Sequence, residues 1–459
     1  MRCNMADQLN RIPILVAAAT LAACAGSPPP PAEPAGLAIV GAQLIDGTGG
    51  APVPDAVVVI RDGRIVAAGP RETIAVPDGA EAVDAAGKTV IPGLLDMHSH
   101  YRGDRAATAA QMRTQLYFGV TTARSIGLDD AEKVAWMLET QAGRPDTPRV
   151  FTAGVGFSHP NGFNAAGAQE PATEDEARAM VRELAGQGVQ FTKMWVNDMP
   201  EPGLKITPEI RTAIVEESIA NGLMPVAHID AEVDGRQLVE AGLRDFLHST
   251  VRTFGPGGGT PVDDPEPSAE FVQMCLDNGV AFTPTLSIIQ NNWHFAEHPG
   301  LLDDPELRAA MNPEALARWD DPEARAEVVE AAGFDDRKAA FRQVQDFVKT
   351  MHDAGVRVAL GTDSGTPNVP MGWGVHHELE LYVEAGLTPM DALVAATATG
   401  ASLTAAGGEA EFGTLEAGQI ADLVVLDGDP LEDIRNTLRI DRVMKSGEWV
   451  QREGLLPAQ

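Results

Sequence analysis

Six side chains set the chemistry open to this sequence. His98 and His100 close the run Thr89-Val-Ile-Pro-Gly-Leu-Leu-Asp-Met-His-Ser-His100. Side chains alternate along a strand, so two histidines two residues apart point the same way. A pair so placed can chelate one metal ion. A strand can also end in two histidines without function, and the pair alone does not decide. Four more apolar runs end in a polar group. Lys193 stands in Phe191-Thr-Lys-Met-Trp195, His228 in Pro225-Val-Ala-His228, His248 in Asp245-Phe-Leu-His248, and Asp363 in Ala359-Leu-Gly-Thr-Asp363. Four of the ten histidines thus sit at run ends, far from a random placement.

The elements that carry these residues repeat. Candidate strands are Thr89–His98, Gly119–Ile126, Arg149–Ala153, Val189–Val196, Leu223–Ile229, Arg244–His248, Val280–Ile288 and Arg357–Asp363. Helical patterns lie between them. Thr173-Glu-Asp-Glu176 is a capping box before Ala177–Leu184, and Thr207-Pro208 opens a helix that Asn221-Gly222 closes. Eight such alternations predict an α/β fold, a parallel (β/α)8 TIM barrel over residues 93–412. A doubly wound sheet is the alternative. In the barrel the site lies at the carboxyl ends of the strands, where the six residues stand. The flanks, 37–92 and 413–459, hold short β-rich runs with Asp-Gly and Ser-Gly turns. They predict a small composite β-sandwich built from both ends. Residues 290–342 exceed what a connecting loop needs. They read as an acidic helical insertion, either a lid or a surface excursion.

The constellation resembles the metal-dependent amidohydrolase superfamily, in its imidazolonepropionase- and prolidase-like branch. Leu387-Thr-Pro-Met-Asp-Ala-Leu393 and Gly413-Thr-Leu-Glu-Ala-Gly-Gln-Ile-Ala-Asp-Leu-Val-Val425 carry the branch likeness. The resemblance implies two divalent metal ions, usually zinc. His98, His100 and Asp363 would hold one ion, and His228 and His248 the other. Lys193, carboxylated to a carbamate, would bridge them. It also implies hydrolysis of an amide-type C–N bond by a metal-bridging hydroxide, with dipeptides (Xaa-Pro-like) or N-acyl amino acids as small-molecule substrates. The chemistry agrees. Imidazole and carboxylate suit zinc, Asp363 can relay a proton, and a buried neutral lysine can take up carbon dioxide.

Competing readings are a mononuclear ring amidohydrolase, a deaminase, a phosphotriesterase-like hydrolase and a non-catalytic binding lipoprotein. A deaminase of this superfamily would carry Glu three residues past His228. Here Ala231 stands there and Glu232 follows. Lys193 has no task in the mononuclear readings, and no ligand position is eroded as a binding protein would allow. Weaker candidates for substrate contact are Tyr101, Arg124, His159, Trp195 and His377. Arg124 could fork a carboxylate, although an ordinary ion pair is the plainer expectation. For His376 and His377 a helix surface is the default.

Charge excludes one class of partner. The chain has 459 residues and a net charge of −32, which repels a phosphate backbone and argues against nucleic acid. Residues 1–24 read as a lipoprotein-type signal ending in Leu21-Ala22-Ala23-Cys24. That resemblance implies an exported, periplasm-facing protein anchored to the outer membrane through a lipid on Cys24. Residues 25–36 form a Pro-rich tether. Cys275 is then alone, in an apolar helical pattern, and reads as a packing residue. A homo-oligomer is compatible with the sequence.

Overall fold

The computed structural model describes residues 36–198, 201, 203–251, 261–263, 265–404 and 410–457. The expected signal, Cys24 and all of the tether but Gly36 lie outside the described residues. Five strands come first: β1 (Leu37–Leu44), β2 (Val53–Arg61), β3 (Arg64–Pro70), β4 (Glu81–Asp84) and β5 (Thr89–Pro92). Eight short strands follow: β6 (Leu94–Ser99), β7 (Val120–Ser125), β8 (Arg149–Thr152), β9 (Phe191–Val196), β10 (Met224–Ile229), β11 (Asp245–Leu247), β12 (Ala281–Thr283) and β13 (Arg357–Val358). The last three are β14 (Leu423–Leu426), β15 (Ile440–Lys445) and β16 (Glu448–Trp449).

Both chain ends meet in one mixed sheet of order β16-β15-β14-β5-β1-β2-β3, with β4 also on β1. The expected sandwich is therefore a single hydrogen-bonded sheet. It curls until the β2–β3 hairpin meets the chain entering β14, where Ile65 N donates to Gln419 O and Ala421 N to Gly63 O. Alternation along its strands puts Ile39, Val58, Ile60, Val90, Leu423 and Val425 into one buried cluster.

The eight middle strands run parallel in two ladders, β6-β7-β8 and β9-β10-β11-β12-β13. Helices connect them, and the strands are buried almost throughout, polar residues of β6 and β7 included. The ladders do not join into one continuous sheet. Single hydrogen bonds cross both gaps. Gln190 N donates to Thr152 O and Phe157 N to Lys193 O at one, and Met97 N to Leu360 O and Asp363 N to His98 O at the other. Phe246, Phe271, Phe282 and Phe347 pack edge and tilt between the five-stranded ladder and its helices. Cys275 is buried there with its thiol pushed up to about 12 by burial, as a packing role requires.

Local chemistry explains the connecting helices. Thr173 caps Glu174–Gln187 by accepting from Glu176 N, and Glu176 accepts in turn from Ala172 N. Thr207 caps Pro208–Ala220 with proline at its first turn. The same device is used three times in the insertion. Asp304, Asn312 and Asp321 each cap a helix that starts with proline, at Pro305, Pro313 and Pro322. The insertion is helical as expected, and its Trp293, Phe295 and Trp319 are buried in the main core. Among the described residues no helix is long and apolar enough to cross a membrane.

His376 is a structural buttress, not a surface residue. It lies buried in helix Trp373–Glu384, with Nε2 2.9 Å from Phe118 O and Nδ1 2.9 Å from Thr437 Oγ1. It ties that helix to the end of helix Arg105–Tyr117 and to the chain before β15. Burial lowers its pKa to about 4. The unfolded chain gains a proton near pH 6.5 and the native protein does not, so stability falls as pH drops from about 6.5 to about 4, by roughly 3 kcal/mol. His376→Asn should be less stable than the parent at pH 7 and lose less between pH 6.5 and 4. Parallel pH slopes in denaturant unfolding would contradict this.

Candidate metal centre

His98 and His100 leave β6 on one side of the strand end, as their spacing demands, with ring centroids 5.3 Å apart. Asp363 faces both. Its Oδ1 is 3.1 Å from His100 Nε2 and 3.5 Å from His98 Nε2. His248 follows β11, with its ring 5.0 Å from that of His98 and 3.9 Å from that of His228 at the end of β10. Ligand atoms of His98, His248 and Asp363 all lie within 4.8 Å of one another. Lys193, on β9, is fully buried. Its Nζ has no hydrogen-bond partner among the described residues and stands 5.3 Å from the centre of the Trp195 ring. Five chain segments thus bring all six residues to the same ends of the two ladders.

Electrostatics favour a cation here. Burial holds His98, His228 and His248 well below the ordinary imidazole value, so each ring is neutral and offers a lone pair. Burial would raise Asp363. The hydrogen bond and attraction of His100 lead the opposing effects and outweigh that, so the carboxylate is held below its ordinary value. Burial also lowers Lys193 to about 7, with Arg124 adding repulsion and Asp363 opposing. Histidine rings 3.9 Å apart are stable when neutral or when they share a metal. A donor set of neutral imidazoles, one carboxylate and an unpaired buried lysine fits a metal group, and His98 Nδ1 is an orphaned buried atom in the same place.

Outer contacts aim these donors. His248 Nδ1 meets Thr285 Oγ1 at 2.7 Å, which turns Nε2 inward. Thr285 precedes the short helix Leu286–Gln290, whose first amides donate to the buried Glu378 carboxylate at 2.6 and 2.7 Å. Asp96, fully buried, accepts from His98 N, Thr362 N, Thr362 Oγ1 and Ser364 Oγ, so one carboxylate clamps the segments of His98 and Asp363 together. His248 and Asp363 have φ of 68° and 60°. Histidine and aspartate enter that region more readily than most non-glycine residues.

Gly365 shows how close these segments lie. A Cβ there would sit 1.8 Å from His100 O, on a backbone with φ of 88°. Gly365→Ala should therefore move His100, with a stability loss of about 2–4 kcal/mol and weaker metal retention. Unfolding and metal content equal to the parent would contradict that.

The weaker candidates divide. Arg124 is not free to hold a substrate carboxylate. It is fully buried, pairs with Asp245 and donates to Met97 O. Tyr101 is not open either, because its hydroxyl is buried against Gln115. Trp195 shares the face of Lys193 but is itself buried, packed on Gly127 and Gly156. His377 is buried beside His294 and Trp373, with Nε2 on Gln290 Oε1, rather than in the cluster. His159 is half-buried with Nδ1 unpartnered. Its loop brings Phe163 to 6.1 Å from His228. Residues that the sequence did not single out include Asp129, pushed up to about 6 by burial, and Asn197 just past β9, buried with both amide atoms unpartnered. A buried amide at the end of the Lys193 strand suits a hydrogen bond to substrate.

Comparisons with known proteins agree with this geometry. The sequence pattern of the amidohydrolase family matches residues 89–450. The imidazolonepropionase of Symbiobacterium thermophilum is 28% identical over 423 residues, covering 86% of this chain and 91% of that protein. Among solved structures, a proposed prolidase from Bifidobacterium longum is 27% identical with a TM-score of 0.72, covering 92% of this chain and 96% of its own. A Xaa-Pro dipeptidase with bound methionine superposes with a TM-score of 0.67 at 22% identity, over 90% of this chain and 99% of that one, and at that identity shows the fold alone.

Proposed function

We propose that this chain, which belongs to the amidohydrolase family, hydrolyses the amide bond of Xaa-Pro-like dipeptides or N-acyl amino acids at a two-metal centre. It is an enzyme acting on C–N bonds, and its family is typically metal-dependent. On our reading His98, His100 and Asp363 would hold one ion and His228 and His248 the other, and Lys193, as a carbamate, would supply a further anionic oxygen donor. When bound, two divalent ions, zinc on this reading, supply Lewis acidity and lower the pKa of water. The chain's own residues do the rest. Asp363 takes the proton of the attacking water on a carboxylate oxygen and passes it to the departing amine nitrogen as the C–N bond breaks. Thr285 and Asp96 keep His248, His98 and Asp363 in place.

The observation that carries the reading is Lys193: fully buried, without a hydrogen-bond partner among the described residues, and lowered to about 7 beside three histidines. A neutral amine there can add carbon dioxide and become an anionic oxygen ligand. A mononuclear ring hydrolase has no use for it. The prolidase likeness at 27% identity supports the dipeptide class, and the imidazolonepropionase likeness keeps a cyclic amide in the test. Metal-loaded protein should cleave members of a panel of Xaa-Pro dipeptides and N-acyl amino acids. Silence across that panel, with cleavage of a cyclic imide or imidazolone, would overturn the substrate class.

The architecture reads with this function as a closed (β/α)8 barrel. The hydrogen bonds across both ladder gaps support it, as does the Arg124–Asp245 pair, which reaches from β7 in one ladder to β11 in the other. Export, the lipid on Cys24, the 93–412 barrel bounds and a homo-oligomer belong to the same proposal.

A further inference from the structure

Near the cluster lies a cavity of about 650 Å³. Helix Arg105–Tyr117 forms one wall, through Ala110 and Thr114. The insertion forms another, through Met311 and Leu316, and Gly365 and Thr366 a third. None of the six cluster residues lines it. It is nevertheless a near neighbour. Arg102 and Gly365 on its wall each stand two residues past a cluster residue, His100 and Asp363, and two residues of chain span at most about 7 Å. The volume falls in the range of small-molecule sites, and the walls are mainly alanine, methionine, valine, leucine and proline.

Two cations face this space, and they differ. Arg308 is occupied, with both terminal nitrogens on Asp320 at 2.7 and 2.9 Å. Arg102 is exposed, and among the described residues its side chain donates only a long Nε bond, 3.4 Å, to Gly365 O. No carboxylate pairs with it among the described residues. In a chain of net charge −32, an anion reaches an apolar cavity only where a local cation offsets the repulsion. We propose that this cavity binds an apolar monocarboxylate, with the carboxylate on Arg102 and the hydrocarbon between Ala110 and Leu316. The proposal rests on the hydrolase reading only for the ligand's source: the acyl half released from an N-acyl amino acid has this chemistry, whereas the acid half of a dipeptide carries an ammonium as well.

The test is calorimetric titration of the full chain with octanoate, and with octan-1-ol as the uncharged match. Octanoate should bind about ten-fold or more tightly than the alcohol, as expected for a charge-assisted hydrogen bond. Arg102→Gln should erase that preference, and Ala110→Trp should abolish binding of both by filling the cavity. Should Ala110→Trp fail to fold, judged by its thermal midpoint, Leu316→Phe from the facing wall should weaken binding instead. Octanoate binding unaltered in Arg102→Gln and in a folded cavity-filling variant would place it elsewhere, on the metal centre for instance, and overturn the proposal. Turnover is not measured, so failure of the dipeptide panel leaves this result to stand or fall alone.

Discussion

Asp363→Asn should lower kcat by about 10²–10⁴-fold while the fold persists. The argument starts from the backbone. Asp363 has a φ of 60°, and asparagine tolerates that region as well as aspartate does, so the exchange adds no strain. The clamp by Asp96 acts on Thr362 and Ser364 and leaves the Asp363 side chain out, so it survives. What is lost is a carboxylate oxygen 3.1 Å from His100 Nε2 that can accept a proton and give it back. An amide cannot do either. Steady-state kinetics beside an unfolding curve would check this. Activity within ten-fold of the parent would show that another group moves the proton, with Asp129 the first to examine.

Arg124→Met should destabilise the protein by about 3–5 kcal/mol, because it strands the fully buried Asp245 carboxylate. The guanidinium also holds Met97 O at 2.7 Å, next to His98, and adds to the field that keeps Lys193 neutral. Asp245→Leu alone should cost a similar amount by stranding the arginine. The double variant should recover most of the loss, since two apolar side chains replace two charges in a dry site. Strict additivity in denaturant unfolding would contradict a coupled pair.

The sequence showed which residues gather better than it showed the frame that holds them. His98, His228 and His248 could be read because each stands at the end of a largely apolar run, and Lys193 because it interrupts one, and the structure brings the four together. Thr89–His98, read from the sequence as one strand, is split at Gly93 into β5 and β6, which belong to different sheets. Val280–Ile288 misled: it is strand only over Ala281–Thr283 and helix from Leu286. Apolar composition cannot separate these, and the deciding contacts are remote, a left-handed Thr285 and the Glu378 carboxylate some ninety residues on. Arg357–Asp363 likewise pairs as strand only at Arg357–Val358. The ion pair expected for Arg124 is present, but its partner Asp245, 121 residues away, could not be named from the sequence. The outer contacts of Asp96, Thr285 and Glu378 were invisible for the same reason: side-chain hydrogen bonds across the interior leave no spacing in the chain.

The shared centre is the claim on which the rest depends, and metal content tests it most directly. Elemental analysis of the purified protein, beside Lys193→Ala, should find about two divalent ions per chain in the parent and a clear loss in the variant. About one ion, unchanged by the substitution, would contradict the bridged centre and reduce Lys193 to a structural residue.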